Sequence, residues 1–177
     1  MELHLTVKKN EEKTTSLNVQ IPPNFMMGNK DCKQGNLLIE YIPEGEKMRR
    51  WNEIISVTRD RLPAVDIHGL LKTLKSLYAG EKFDCEVEKE KGVVVAFFTV
   101  DKDAVIPSAF QGGEFEKIPG KKEITMMKIV QGEKSVSIVQ YAARYDKKIP
   151  SPLKKELKNK MLSFLNSCKI DIQDIPK

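Results

Sequence analysis

Val93-Val-Val-Ala-Phe-Phe-Thr-Val100 is apolar at odd and even positions alike. Successive side chains of a strand point to opposite faces, so such a run does not suit a sheet with one wet face. It predicts a central strand covered on both sides, and the chain must supply two lids. Two helices are available. The first is predicted over 66–79, with Asp66 as N-cap, Gly80 after the last turn, and Leu70, Leu71, Leu74, Leu77 and Tyr78 as one apolar stripe. The second begins at Ser151-Pro152, read as an N-cap and first-position proline pair. It buries Leu153, Leu157, Met161, Phe164, Leu165 and Cys168.

Much of the remainder alternates with period two. Leu3, Leu5 and Val7, then Leu17, Val19 and Ile21, read as an opening hairpin. Pro22-Pro23 ends it, because proline donates no backbone hydrogen bond. Residues 24–36 read as an irregular connection carrying Met26, Met27 and Cys32. Strands follow at 37–42 and 53–58, joined by a Pro-x-Gly turn and one helical turn over 46–51. A helix through Ile55 competes, since Met48, Trp51, Ile54 and Ile55 suit helical spacing, but the β-branched run from Ile54 to Thr58 favours a strand. Strands at 83–88 and 92–101 precede a polar stretch, 102–121, whose Pro107, Gly112, Gly113, Pro119 and Gly120 mark a long loop of the kind that carries function. A second hairpin pairs 123–130 with 135–144. The sum is an α+β fold in one domain over residues 1–177, with a single antiparallel β-sheet of about six to eight strands covered by two main helices.

The order of elements is carried by Ile42-Pro-Glu-Gly45 with Trp51, by Ile129-Val-Gln-Gly132 leading to Val139-Gln-Tyr-Ala142, and by Phe164-Leu-Asn-Ser167. It resembles the Mog1/PsbP-like family of α/β/α sandwiches. It also resembles small bacterial proteins that share a Pro-Glu-Gly…Trp box. The resemblance implies an antiparallel sheet covered by helices and a binding or accessory role. It brings no catalytic residues with it.

Composition excludes several classes. With 40% hydrophobic and 31% charged residues the 177-residue chain fits one globular domain rather than a disordered one. No apolar run approaches the ~20 residues of a membrane-spanning helix. The N-terminus lacks the basic start and apolar stretch of a signal peptide, so the chain as given is expected in the cytoplasm. Loss of a leader, or a leaderless route, would place it outside. Cys32, Cys85 and Cys168 are widely spaced and odd in number, which points to reduced thiols. With His4 and His68 they make no zinc pattern, and no metal or cofactor is implied. Gly120-Lys-Lys precedes a strand and lacks phosphate-loop order, so it reads as a turn.

Four groups of residues are candidates for function. Cys85 with His68, oriented by Asp66, is the one Cys/His pairing worth testing as nucleophile and base. Packing is the simpler role for both. Asp84, Glu86, Glu88 and Glu90 share one face of a strand, opposite Phe83, Cys85 and Val87. They suit a cation or a basic partner less well than plain solvation. Lys147, Lys148, Lys154, Lys155, Lys158 and Lys160 surround the last helix, and cations in its first turns oppose the helix dipole. That local cost invites a functional reason. Arg49 and Arg50 beside Trp51 form the fourth group, an aromatic–cationic pair of the kind found at binding hot spots.

The leading expectation is a non-enzymatic protein-interaction or accessory factor of bacterial origin. Its surface would comprise the sheet edge, the 102–121 loop and the lysine face, and its partner another protein, acidic in character. An enzyme centred on Cys85 or the acidic strand face is the competing class. A basic-surface binder of anionic lipid, by peripheral membrane contact, or of nucleic acid is the third. Nucleic acid is disfavoured because no aromatic residue interleaves with the lysines.

Overall fold

A computed structural model describes residues 2–9, 13–33, 36–60, 67–77, 82–90, 93–106, 116–131 and 136–174. In chain order these form β1 (Glu2–Lys9), β2 (Lys13–Gln20), β3 (Phe25–Lys33), β4 (Asn36–Pro43), β5 (Glu53–Asp60), α1 (Ile67–Leu77), β6 (Lys82–Glu90), β7 (Val93–Ile106), β8 (Glu116–Gln131), β9 (Val136–Asp146), α2 (Ser151–Ser167) and β10 (Lys169–Asp174). The apolar run is covered on both sides, as its parity demands. Val95 packs in a core cluster with Met161, Phe164 and Leu165 of α2. Ala96 and Val100, of the opposite parity, pack in a second cluster with Ile67 and Leu71 of α1. No helix among the described residues is long and apolar enough to cross a membrane.

The fold is α+β with antiparallel strands, but the expected single sheet is two. Seven strands pair in the order β3-β4-β5-β9-β8-β7-β6, and three more in the order β1-β2-β10. The opening hairpin therefore pairs with β10 and not with the large sheet. Leu17, Val19 and Ile170 are fully buried and belong to the same cluster as α2, so the small sheet shares that core.

Other sequence expectations shift in detail. The connection expected at 24–36 contains a strand, β3, which pairs with β4 across a bulge between Met27 and Asn29. Where it is described, at 102–106 and 116–121, the 102–121 stretch is sheet: β7 and β8 continue their ladder through Asp103↔Lys122 and, past a bulge, Val105↔Lys117 and Ile106↔Glu116. Gly120, in this irregular part of β8, has φ +73°, which a side chain would strain. Gly112 and Gly113 lie outside the described residues, as do Asp66 and Gly80. In α2, Pro150 stands at the N-cap with no side-chain capping bond, so Ser151 is the first helical residue and not the cap. Leu153, expected inside, is 52% exposed. The inward stripe runs through 154, 157, 161, 164, 165 and 168, so Lys154 holds the position facing the sheet and Leu153 lies one step of about 100° away.

The Pro-Glu-Gly turn is tight, with Glu46 N–H on the Pro43 carbonyl at 3.1 Å and Gly45 at φ +85°. One further turn follows, closed by Arg50 N–H on the Lys47 carbonyl at 2.8 Å. It delivers Trp51 and Met48 onto a third small cluster of Ile42, Ile54 and Ala142.

Candidate functional site

Two matching networks bind α2 to the sheet. Tyr141 and Tyr145 lie four residues apart on β9, on the face that α2 covers. The Tyr145 hydroxyl donates to Asp101 at 2.6 Å, and Lys154 of α2 donates to the same carboxylate at 2.5 Å. The Tyr141 hydroxyl donates to Glu53 of β5, whose carboxylate also receives Lys160 at 2.6 and 2.8 Å. Each ammonium also sits over its tyrosine ring, at 5.0 Å for Lys154 and 5.8 Å for Lys160. Burial alone would raise the Asp101 carboxyl, but the hydrogen bonds and charge of Lys154, with Tyr145, hold it below its usual range. Lys154 is raised by the same bonds, and burial raises both tyrosines. At the far end of the helix, buried Lys128 of β8 donates to the Cys168 carbonyl at 2.8 Å.

These contacts revise the lysine-face reading. The helix-dipole cost at Lys154 has an internal reason, the Asp101 carboxylate. Lys147 is likewise paired with Asp103 at 3.0 Å, and its hydrogen bond lowers that carboxyl. Lys148 and Lys155 are exposed and Lys158 half-buried, with no ion-pair partner among the described residues.

The opposite face of the large sheet carries the Arg49–Arg50–Trp51 group, and the fold adds residues that sequence proximity does not. Register pairs Arg144 of β9 with Glu123 of β8, and the Arg144 N–H bonds the Asn52 carbonyl at 2.7 Å. The Arg144 guanidinium then lies 3.7 Å from the centre of the Trp51 ring and donates to the Trp51 carbonyl at 3.1 Å. Burial lowers its pKa, offset by buried Glu123 at 3.6 Å and by Glu46. Glu46 also holds Asn52 through its backbone and side-chain nitrogens, at 2.7 and 2.8 Å. The half-buried indole is thus fixed from several directions. Beside it runs a groove of about 220 Å³ walled by Arg49, Arg50, Trp51, Ile118, Lys121 and Arg144. Lys121 is paired with Asp146 at 2.9 Å. Arg49 and Arg50 are exposed, and neither guanidinium has a partner among the described residues.

Among the described residues the candidates for catalysis are not brought together. His68 is exposed on α1, while Cys85 is half-buried and packs with the α1 cluster. No hydrogen bond joins them among the described residues. Burial pushes the Cys85 thiol up, the reverse of what a nucleophile needs, although Lys75 pulls it partly back. Glu86 is exposed beside a groove of about 420 Å³ that also touches Cys85, Phe97, Met126 and Leu162. The side chains of Asp84, Glu88 and Glu90 lie outside the described set. Among the described residues no group of three His, Cys, Asp or Glu side chains is placed to hold a metal ion.

The thiols give a direct test. Cys32 is exposed, Cys85 half-buried, and Cys168 buried with its pKa pushed up to about 11 by desolvation. With an aromatic disulfide reagent on single Cys→Ser variants, Cys32 is expected to react first, Cys85 more slowly and Cys168 only on unfolding. A Cys85 that outpaces Cys32 would restore the nucleophile.

No family model and no curated protein matches the chain. Among solved structures it is similar to the solution structure of cyanobacterial PsbP (CyanoP) from Synechocystis sp. PCC 6803. The two are 11% identical, over 90% of this chain and 86% of that one, with a TM-score of 0.40. A likeness this distant carries no site residue across.

Proposed function

We propose that this protein is a non-catalytic interaction factor of the bacterial cytoplasm, and that it grips another protein through the Trp51 groove. One observation carries the reading. The indole is held from behind by Arg144, while two exposed arginines beside it, Arg49 and Arg50, have no partner among the described residues. A fixed aromatic ring with unpaired arginines at its rim is the residue set that dominates binding energy at protein interfaces. The groove also lies below the ~300–1,000 Å³ of pockets that enclose small molecules. The lysine face of α2 supports the reading less, because Lys147, Lys154 and Lys160 are committed to carboxylates of the same chain.

Capture from lysate of the native cell tests it, using wild-type protein beside an R49E/R50E variant. Both arginines are exposed and unpaired among the described residues, so the variant is expected to keep the wild-type unfolding temperature. A partner retained by wild type should be lost with the variant and kept by K148E/K155E on the helix face. Equal retention by all three proteins would remove the groove from the interface.

A further inference from the structure

The chemistry of the groove defines the partner more closely. Its cations divide into two kinds. Arg144 and Lys121 are already bound to Glu123 and Asp146 and serve as walls. Arg49 and Arg50 are consecutive, exposed and without an acceptor among the described residues. A guanidinium presents a planar fork of donors that fits a carboxylate bidentately, which an ammonium does not. The exposed part of Trp51 and the half-buried Ile118 of β8, both lining the groove, supply apolar surface beside the arginines. The site therefore asks for carboxylates next to an apolar side chain.

The surroundings discriminate among anions. Glu46 stands close enough to act on the Arg144 guanidinium, and Asp146 is paired with Lys121. Acidic groups thus stand against two of the groove's basic residues. A long phosphate backbone gains affinity by neutralising a continuous row of charges. A membrane needs a broad basic face. Neither fits an anion site of two exposed guanidinium groups in about 220 Å³.

We propose that the Trp51 groove binds a short acidic segment of the partner protein, with carboxylates on Arg49 and Arg50 and a neighbouring apolar side chain against Trp51 and Ile118. This rests on the interaction reading above and specifies its chemistry. The segment is held by charge at its rim and by apolar contact at its centre, so its affinity falls as salt rises without vanishing.

Trp51 is the only tryptophan, so its emission reports on the groove directly. The probes are a short synthetic Glu/Leu peptide, its Gln/Leu counterpart, phosphatidylglycerol vesicles and a single-stranded oligonucleotide. The Glu/Leu peptide is expected to shift the Trp51 emission saturably. R49Q/R50Q should weaken that binding about tenfold or more, the scale of losing charge-assisted hydrogen bonds. K148Q/K155Q should leave it unchanged. Equal binding of the Gln/Leu peptide, equal loss in both double variants, or tighter binding of vesicles or oligonucleotide through the same arginines would overturn the proposal. If capture of a partner depends on Arg49 and Arg50 while the Glu/Leu peptide leaves Trp51 silent, the acidic chemistry fails and the interaction reading survives. If neither responds to the arginines, both fail.

Discussion

Replacing Tyr141 with alanine is expected to destabilise the protein by about 3–5 kcal/mol, the cost of truncating a buried aromatic ring. For a chain of this size the unfolding temperature should fall by roughly 6–20 °C. The ring is 1% exposed and meets two others edge-on, Phe25 at 6.2 Å and Phe164 at 5.4 Å. It thus links the start of β3, the middle of β9 and the buried face of α2. Its hydroxyl donates to Glu53, the carboxylate that also anchors Lys160. Removing the ring opens a cavity where these elements meet and takes a donor from a half-buried carboxylate. Tyr141→Phe separates the two effects: the ring stays, and the loss should shrink to about 1.5–3 kcal/mol, the worth of a hydrogen bond to a charged group. Chemical denaturation of the two variants measures both. A Tyr141→Ala protein within about 1 kcal/mol of wild type would show that α2 is held elsewhere.

What the sequence disclosed about this fold followed hydrophobic period. The two-sided run in β7 required lids on both faces, and Ala96 and Val95 do pack against different helices. Where period was carried by charge, the reading failed. Residues 102–106 and 116–121 read as loop because the 102–121 stretch is polar and carries Pro107, Pro119 and three glycines. In the ladder its charges face their opposites: Lys102 opposes Glu123, and Asp103 opposes Lys122. Opposite charges across a strand pair support pairing without any apolar signal. β3 was hidden for a related reason, since most of this edge strand is exposed and shows no apolar alternation. β10 alternates Ile170 and Ile172 with polar residues, but a six-residue strand directly after α2 is not read from the sequence at all.

The candidate site divides along the same line. Arg49, Arg50 and Trp51 are neighbours in the chain and could be singled out. Arg144, Lys121 and Ile118 join them only through the pairing of β5, β9 and β8, which no local pattern encodes. The lysine face misled because charge along a helix was read as solvent-facing, whereas the inward register of α2 includes position 154. A lysine there is unremarkable in sequence, and its purpose becomes visible only when Asp101 is brought under it from β7.

That buried pair makes the second large prediction. Asp101→Asn is expected to cost about 2–3 kcal/mol, below the ~3–5 of a fully buried ion pair because Lys154 keeps 32% of its side-chain exposure. The variant leaves Lys154 against a neutral amide and weakens the acceptor of Tyr145. Its pH dependence follows from the direction of each shift. The folded Asp101 carboxyl is held below its ordinary value, so its contribution is present above the unfolded pKa of ~3.9 and lost as pH falls through the folded value. Lys154 and Tyr145 are both raised, so their contributions are complete below ~10 and disappear as pH climbs through the folded values. Wild type and Asp101→Asn should therefore differ most between these limits and converge below about pH 4. A cycle with Lys154→Met isolates the pair, and its coupling is expected near 1–2 kcal/mol at neutral pH. Additive single-variant losses, or a gap between wild type and Asp101→Asn that persists unchanged into acid, would mean that Asp101 acts through packing and not through its charge.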